Sequence, residues 1–431
     1  MAKTTVWTGN AQPVQQVVTW TLSGTWTADD IITFEINDQQ VSVPAGDTVI
    51  ATIVVTLSAA LVASTLDEFT VITWTDDGVD TITGTAVVGG VPFVCESSTS
   101  DAAALIEGTD AADPGTEVTA CDGPNYFGTV GNWSNGLPVS TDTIIFSESD
   151  INCTQDLDQT AITSGNLIVN ASYTGEIGLS RYRTRTVPIS VPTGGEFEYR
   201  ARYLQIGVGS IRIGDGDGPG SNLILVDTGA TTTSAVVNKT VARTDGKQSF
   251  RLKGSDITIA VNRGSVGIAS EPGDTATITG EVNVSKVTKL NDSNVMIGSG
   301  ATLSSAVLNV TAGKLLVQSS FATANVSGTG ELTVIGSATG TTVNSIDGGR
   351  VFWNSSGTCT TAKAATKGGF DFIRHNISKT FTNISVYAGA VWIDPMGTVT
   401  DTNGFDFVEC HQGDCHIWKP KPNRTWTSSV I

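Results

Sequence analysis

Between Gly264 and Ile393 the chain repeats one short phrase, a glycine followed by apolar residues at the second and fourth positions after it. The copies begin at Gly264 (Val266, Ile268), Gly280 (Val282, Val284), Gly313 (Leu315, Val317), Gly330 (Leu332, Val334), Gly349 (Val351, Trp353), Gly368 (Phe370, Phe372) and Gly389 (Val391, Ile393). Ser293, with Val295 and Ile297, fills the one gap. From Gly313 onward the steps are 17, 19, 19 and 21 residues. Glycine permits the positive φ of a tight turn, and apolar residues two apart lie on one face of a strand.

A five-residue strand returning about every 18 residues cannot bury its apolar face alone, and stacking successive copies is the usual remedy. Three short strands per coil fit that step. The expected fold is mainly β: a right-handed parallel β-helix, or β-solenoid, preceded by a small ββαββ domain. A β-sandwich is the competing fold, but its turn signals return every 8–12 residues or so. The 47 glycines and a charged fraction of 15%, against about 25% in an ordinary domain, agree with a turn-rich all-β chain.

Residues 1–95 are expected to form the N-terminal docking domain. Val17–Leu22 and Ile31–Ile36 alternate like strands, as do Phe69–Trp74 and Thr81–Val88. Between the pairs Ile50, Ile53, Val54, Leu57 and Leu61 fall on one face of a helix, with Asp47 as its N-cap. Residues 96–124, rich in Ser, Thr, Ala, Asp and Gly, are expected to be a linker. The solenoid would span 125–400, with Trp133 as a lid and Ile144 and Phe146 opening the first coil; 401–431 would be a C-terminal cap or tail. Gly165, Leu167 and Val169 make an early copy of the phrase, and coils are indistinct from Gly175 to Gly254.

A formal charge of −18, from 24 basic and 42 acidic residues, argues against nucleic acid as a partner. Lys419, Lys421 and Arg424 are the one cationic cluster, while Arg181, Arg183 and Arg185 alternate along one strand face and suit solvent or an intersubunit contact. No apolar run resembles a signal peptide, and no 18-residue apolar stretch predicts membrane insertion. Synthesis in the cytoplasm without export is the expectation, with the six scattered cysteines as thiols.

Few residues suggest chemistry. Asp215 and Asp217 sit in a glycine-rich loop, but Val226 stands where a calcium loop needs a glutamate. Cys410, His411, Cys415 and His416 form the densest group of soft ligands; packed into seven residues, they suit a surface loop or local disulfide better than a zinc tetrahedron. If three chains met at an axis there, His411 or His416 would be placed to share an ion. His375 follows an apolar run and is expected at a strand edge. Asp256, Asp292, Glu331 and Asp347 lie along the repeat, where paired carboxylates from different coils would be needed for glycoside cleavage, and Trp353 and Trp392 are the aromatics that would rim such a groove. No catalytic triad, phosphate loop or dinucleotide signature can be assembled. The expectation is no catalytic residue, no cofactor and no enzyme activity.

The segment Asn132–Phe146, followed by Cys153–Thr174, resembles the opening of β-helical proteins encoded in phage genomes and of some bacterial surface proteins. The N-terminal module resembles small domains of phage virion proteins. The resemblance implies a virion structural protein, a head decoration, head fibre or tail fibre. Its partners would be capsid or tail proteins, and it would assemble as a homotrimer. A tailspike that binds or cuts host surface glycan and a bacterial adhesin are the alternatives.

Overall fold

The computed structural model describes residues 2–37, 39–179, 183–186, 196–198, 202–241, 243, 247–285, 293–372, 377–387, 389–394, 396–403, 405–408 and 416–418. Twenty-one strands join in one sheet, and its pairings are parallel throughout. Three columns of strands emerge from the registers. One coil shows them in order: along Ala301–Val317, Leu303 pairs with Phe321, Leu308 with Ala324 and Leu315 with Leu332, so a single strand turns two corners and meets the next coil on each side. This is the arrangement of a β-solenoid, with three strands per coil as the sequence period requires.

The inward rows are apolar and in register. Leu308, Ala324, Val343, Ala362 and Ile384 stack in one column, each buried. In another, Leu315, Leu332, Val351 and Phe370 do the same. The row then continues through Trp392, not Val391 or Ile393. Here the sequence register is one residue off. The indole enters the core, its centroid 5.1 Å from Phe370 and 4.9 Å from Phe372, while Val391 and Ile393 are half-buried.

Outward rows are polar and mutually bonded. The amide of Asn309 donates to Asn283 (2.9 Å), Asn325 to Asn309 (3.0 Å) and Asn344 to Asn325 (2.9 Å). A second ladder joins Asn262 to Asn238 (2.7 Å). Each amide meets its neighbour's need, so the sheet face carries few unsatisfied groups.

Glycine in the repeated phrase answers to crowding more than to turn conformation. Gly349 and Gly368 lack a positive φ, yet a Cβ on Gly349 would meet the Val326 carbonyl oxygen at 2.4 Å and one on Gly368 the Ser345 oxygen at 2.1 Å. The preceding coil's backbone leaves no room for a side chain at these corners.

The chain divides into two units: Met1–Thr8 with Trp133–Ile431, and Gly9–Asn132. This replaces the expected boundaries at both ends: the solenoid does not stop at 400, because Phe405–Val408 and His416–Trp418 are parallel strands of the same sheet. Thr4–Trp7 is a solenoid strand, paired in parallel with Thr143–Phe146, so the small domain is inserted after the first strand and does not precede the solenoid. Trp133 is the expected lid, packed edge-on against Trp7 at 5.1 Å and Phe146 at 5.7 Å.

Residues 96–124 are not a linker, because Glu96–Thr99, Ala104–Ile106 and Thr116–Thr119 are strands of the inserted domain. Its order is not the expected ββαββ: Gln39–Pro44 adds a third strand before the helix, Asp67–Thr70 is a short helix where a strand was expected from Phe69, and the strands form two sheets. Strand Val17–Gly24 pairs with Thr81–Ala86 on one side and with Ala104–Ile106 and Thr116–Thr119 on the other. Ile31–Ile36 lies between Gln39–Pro44 and Glu96–Thr99. The helix Ile50–Val62 buries Ile53, Val54, Leu57 and Leu61 as expected, but Val49 is its N-cap. Asp47 acts two residues earlier, its carboxylate accepting from the N–H groups of Thr48 and Val49.

Val317 and Val334 are fully buried in the stacked rows. Replacing either by Asp should cost at least about 3 kcal/mol by stranding a charge there, measured by urea unfolding; wild-type midpoints would mean the register is wrong. Gly349→Ala should cost clearly more than Gly336→Ala. At Gly336 φ is +74° with open space around the Cβ position, so only backbone strain of about 1–2 kcal/mol applies.

Candidate functional site

Among the described residues, the carboxylates singled out along the repeat, Asp256, Glu331 and Asp347, do not converge. Asp256 registers with Thr232, and the hydroxyls of Thr232 and Thr279 donate to it and hold its carboxyl below the usual carboxylate range. Glu331 lies in a different column, 3.7 Å from Lys314 and in register with Arg350. Asp347 is exposed in a turn at φ +50°, and Asp292 lies outside the described residues.

Trp353 and Trp392 are fully buried inside the solenoid. They cannot rim a groove. Asp215 pairs with Arg212 at 2.7 Å and accepts from the amide of Asn238, the role of a ladder end. Cys410, His411 and Cys415, with His375, Arg181 and the tail cations, lie outside the described residues. His416 is described only as backbone, opening the strand His416–Trp418, and Arg183 and Arg185 likewise within Arg183–Thr186.

What the structure does assemble is a cleft of about 400 Å³ lined by Thr154–Asp158, Arg202, Tyr203, Gln205, Asp227 and Lys253. Register places Gln205, Asp227 and Lys253 side by side on successive coils. The ammonium of Lys253 lies 3.5 Å from Asp227, 3.6 Å from Asp274 and 4.8 Å above the Tyr203 ring. Tyr203 donates its hydroxyl to Asp274 at 2.5 Å; burial first, and then this bond, push its phenol well above the ordinary range. Close by in the sequence, Arg251 is buried and held 2.6 Å from Glu271.

The carboxylates of Asp227 and Asp274 are both within ion-pair reach of the one Lys253 ammonium. With that ammonium engaged by both, neither carboxylate is free of a counter-charge. The charges of the floor are engaged with one another, the pattern of an ion-pair network that ties coils together. Asp156, Asp158, Arg202 and Gln205 face solvent at its rim.

A second feature is distributed across a whole domain. Between Gly9 and Asn132 there are 17 acidic residues and no Lys, Arg or His. The remaining residues carry 25 acidic and 24 basic residues, so the inserted domain holds −17 of the chain's −18. The signal was legible in the sequence, but only once the domain boundaries are known does it become a property of one body. Among its carboxylates Asp29, Asp67, Asp76, Asp77, Glu96, Asp101, Asp110 and Glu117 are exposed.

The fold therefore defines a class, a β-solenoid carrying an inserted acidic domain. Comparison with family models, curated proteins and solved structures finds no match. Among the described residues no helix is long and apolar enough to cross a membrane.

Burial separates the thiols. Cys95 and Cys153 are pushed well above the usual thiol range by burial, and Cys359 up to about 12 for the same reason, while Cys121 is half-buried. In native protein at pH 8, site-resolved alkylation should modify Cys121 well before Cys95, Cys153 or Cys359. Equal rates at all four would mean that the coils open locally on the labelling timescale.

Proposed function

We propose that this chain is a structural protein of a phage virion, in which a right-handed β-solenoid projects from a particle on which the domain Gly9–Asn132 docks. Head decoration or fibre is the role, and a homotrimer is the assembly. The observation that carries the reading is the division of charge. A nearly neutral repeat of laddered coils has the makings of an inert, extensible spacer, and one discrete body with its own core holds the net charge. The right hand follows from the strong preference of parallel crossovers for it.

The test is co-sedimentation with particles that lack this protein. A chain in which Gly9–Asn132 is replaced by a short Gly/Ser joint, keeping Thr4–Trp7, should stay β-rich and fold cooperatively but fail to attach. Full attachment of that chain would move the anchor into the solenoid.

A tailspike-like role is the second reading, favoured by the carboxylates around Lys253 in the cleft. Because both carboxylates are engaged by the Lys253 ammonium, purified protein should release no reducing ends from host polysaccharide. Release that disappears with Asp227→Asn would establish the enzyme instead.

A further inference from the structure

Large apolar side chains are exposed almost entirely on the inserted domain. Of the 16 such residues among those described, 13 fall between Val14 and Val130, and only Val139, Ile377 and Met396 lie outside it. Several of the 13 belong together. Val14, Val71, Val87, Val88 and Val91 are 39–57% exposed, and main-chain hydrogen bonds gather their segments. Val87 N–H donates to the Val71 carbonyl (2.9 Å) and Gly90 N–H to the Val14 carbonyl (3.0 Å), while the Gln15 amide donates to the Val87 carbonyl (3.0 Å).

The run from Thr81 to Cys95 contains no charged residue. Asp67 and Glu68 precede Val71 along the chain, and two further acidic residues lie against the Val14 segment: Val14 N–H donates to the Asp122 carbonyl at 2.7 Å, and the Gln16 amide to the Glu117 carboxylate at 2.9 Å. An uncharged apolar centre with a charged border is the anatomy of a protein–protein interface, and exposed apolar surface gathered on one body marks an interaction site.

The charge identifies the occupant. A second copy of this domain would bring another −17 against the first, and nucleic acid would be repelled likewise. With no cation of its own, the domain cannot neutralise its carboxylates internally. We infer that Gly9–Asn132 docks on a basic protein surface, its valine patch covered by apolar side chains and its bordering carboxylates met by Lys and Arg of the partner. The inference rests on the docking reading above and supplies the partner's chemistry.

The experiment uses the full chain and two probes, cytochrome c as a basic monomeric protein and particles that lack this protein. Three variants are compared with wild type. The rim variant is Asp67→Asn, Glu68→Gln and Glu117→Gln. The remote variant is Asp29→Asn, Asp76→Asn and Asp110→Asn, which removes the same charge elsewhere on the domain. The patch variant is Val87→Ser with Val91→Ser, whose exposed positions should leave the melting temperature unchanged.

Wild type should bind each probe and weaken at least about tenfold between about 20 mM and about 200 mM salt. The rim variant should bind about fivefold or more weaker, the remote variant within about twofold of wild type, and the patch variant about threefold or more weaker. Equal losses in the rim and remote variants would reduce the effect to a diffuse field and overturn the proposal, as would a patch variant indistinguishable from wild type. Particles bound with no response to salt, rim or valines would also overturn it while leaving the virion reading intact. The expected pattern with cytochrome c, together with no attachment to particles, would uphold the basic-surface inference and remove the virion reading.

Discussion

The structure depends on how closely one coil can lie on the next. Parallel strands hydrogen-bond about 4.8 Å apart, and at that spacing a corner backbone of one coil reaches the corner backbone of its neighbour. Gly349 lies under the Val326 carbonyl and Gly368 under that of Ser345, with no space for a Cβ at either. The repeated glycine is therefore what lets the corners close to the distance the hydrogen bonds set. Given that distance, Leu308, Ala324, Val343, Ala362 and Ile384 fall into one apolar row, and Asn283, Asn309, Asn325 and Asn344 into one amide ladder outside it.

A stack has ends, and the amino-terminal end is closed by aromatic rings. Trp7, Trp133, Phe146 and Tyr173 pack edge to face at 5.1–5.7 Å, and the indole of Trp7 donates to the Ile151 carbonyl at 3.0 Å. Lys3 helps to fix the first strand, its backbone N–H donating to Asp142 and its ammonium to the carbonyls of Asn135 and Leu137. Thr4–Trp7 is thus part of the capping coil, although 124 residues of another domain intervene before Trp133. An insertion between two ends that are fixed in one stack can carry its own core and charge without disturbing the register below.

The repeated phrase made the solenoid legible, because a glycine with apolar residues at fixed offsets is a local pattern whose physical cause is also local. One copy stands outside the series: Gly280, Val282 and Val284 lie in the column of Leu308, whereas the copies at Gly313, Gly330 and Gly349 lie in the column of Leu315. The helix Ile50–Val62 was legible for the same reason. Its buried face repeats at three and four residues.

Other features are set by contacts between residues far apart in the chain. Strands as short and polar as Glu96–Thr99 and Thr116–Thr119 carry no periodic signal; they exist because Ile31–Ile36 and Val17–Gly24 offer them edges. The inward turn of Trp392 follows from the aromatic rings of the coil beneath it. The cleft around Lys253 exists because stacking aligns Gln205, Asp227 and Lys253, residues separated by more than twenty positions at each step. By itself the sequence determined a stacked β-repeat, the one long helix of its small domain and its excess of acid, all carried by short-range pattern or composition. Tertiary structure alone decided where the domain begins, which strand starts the solenoid, and that nearly all of the net charge belongs to one body, since each is a matter of which distant segments touch.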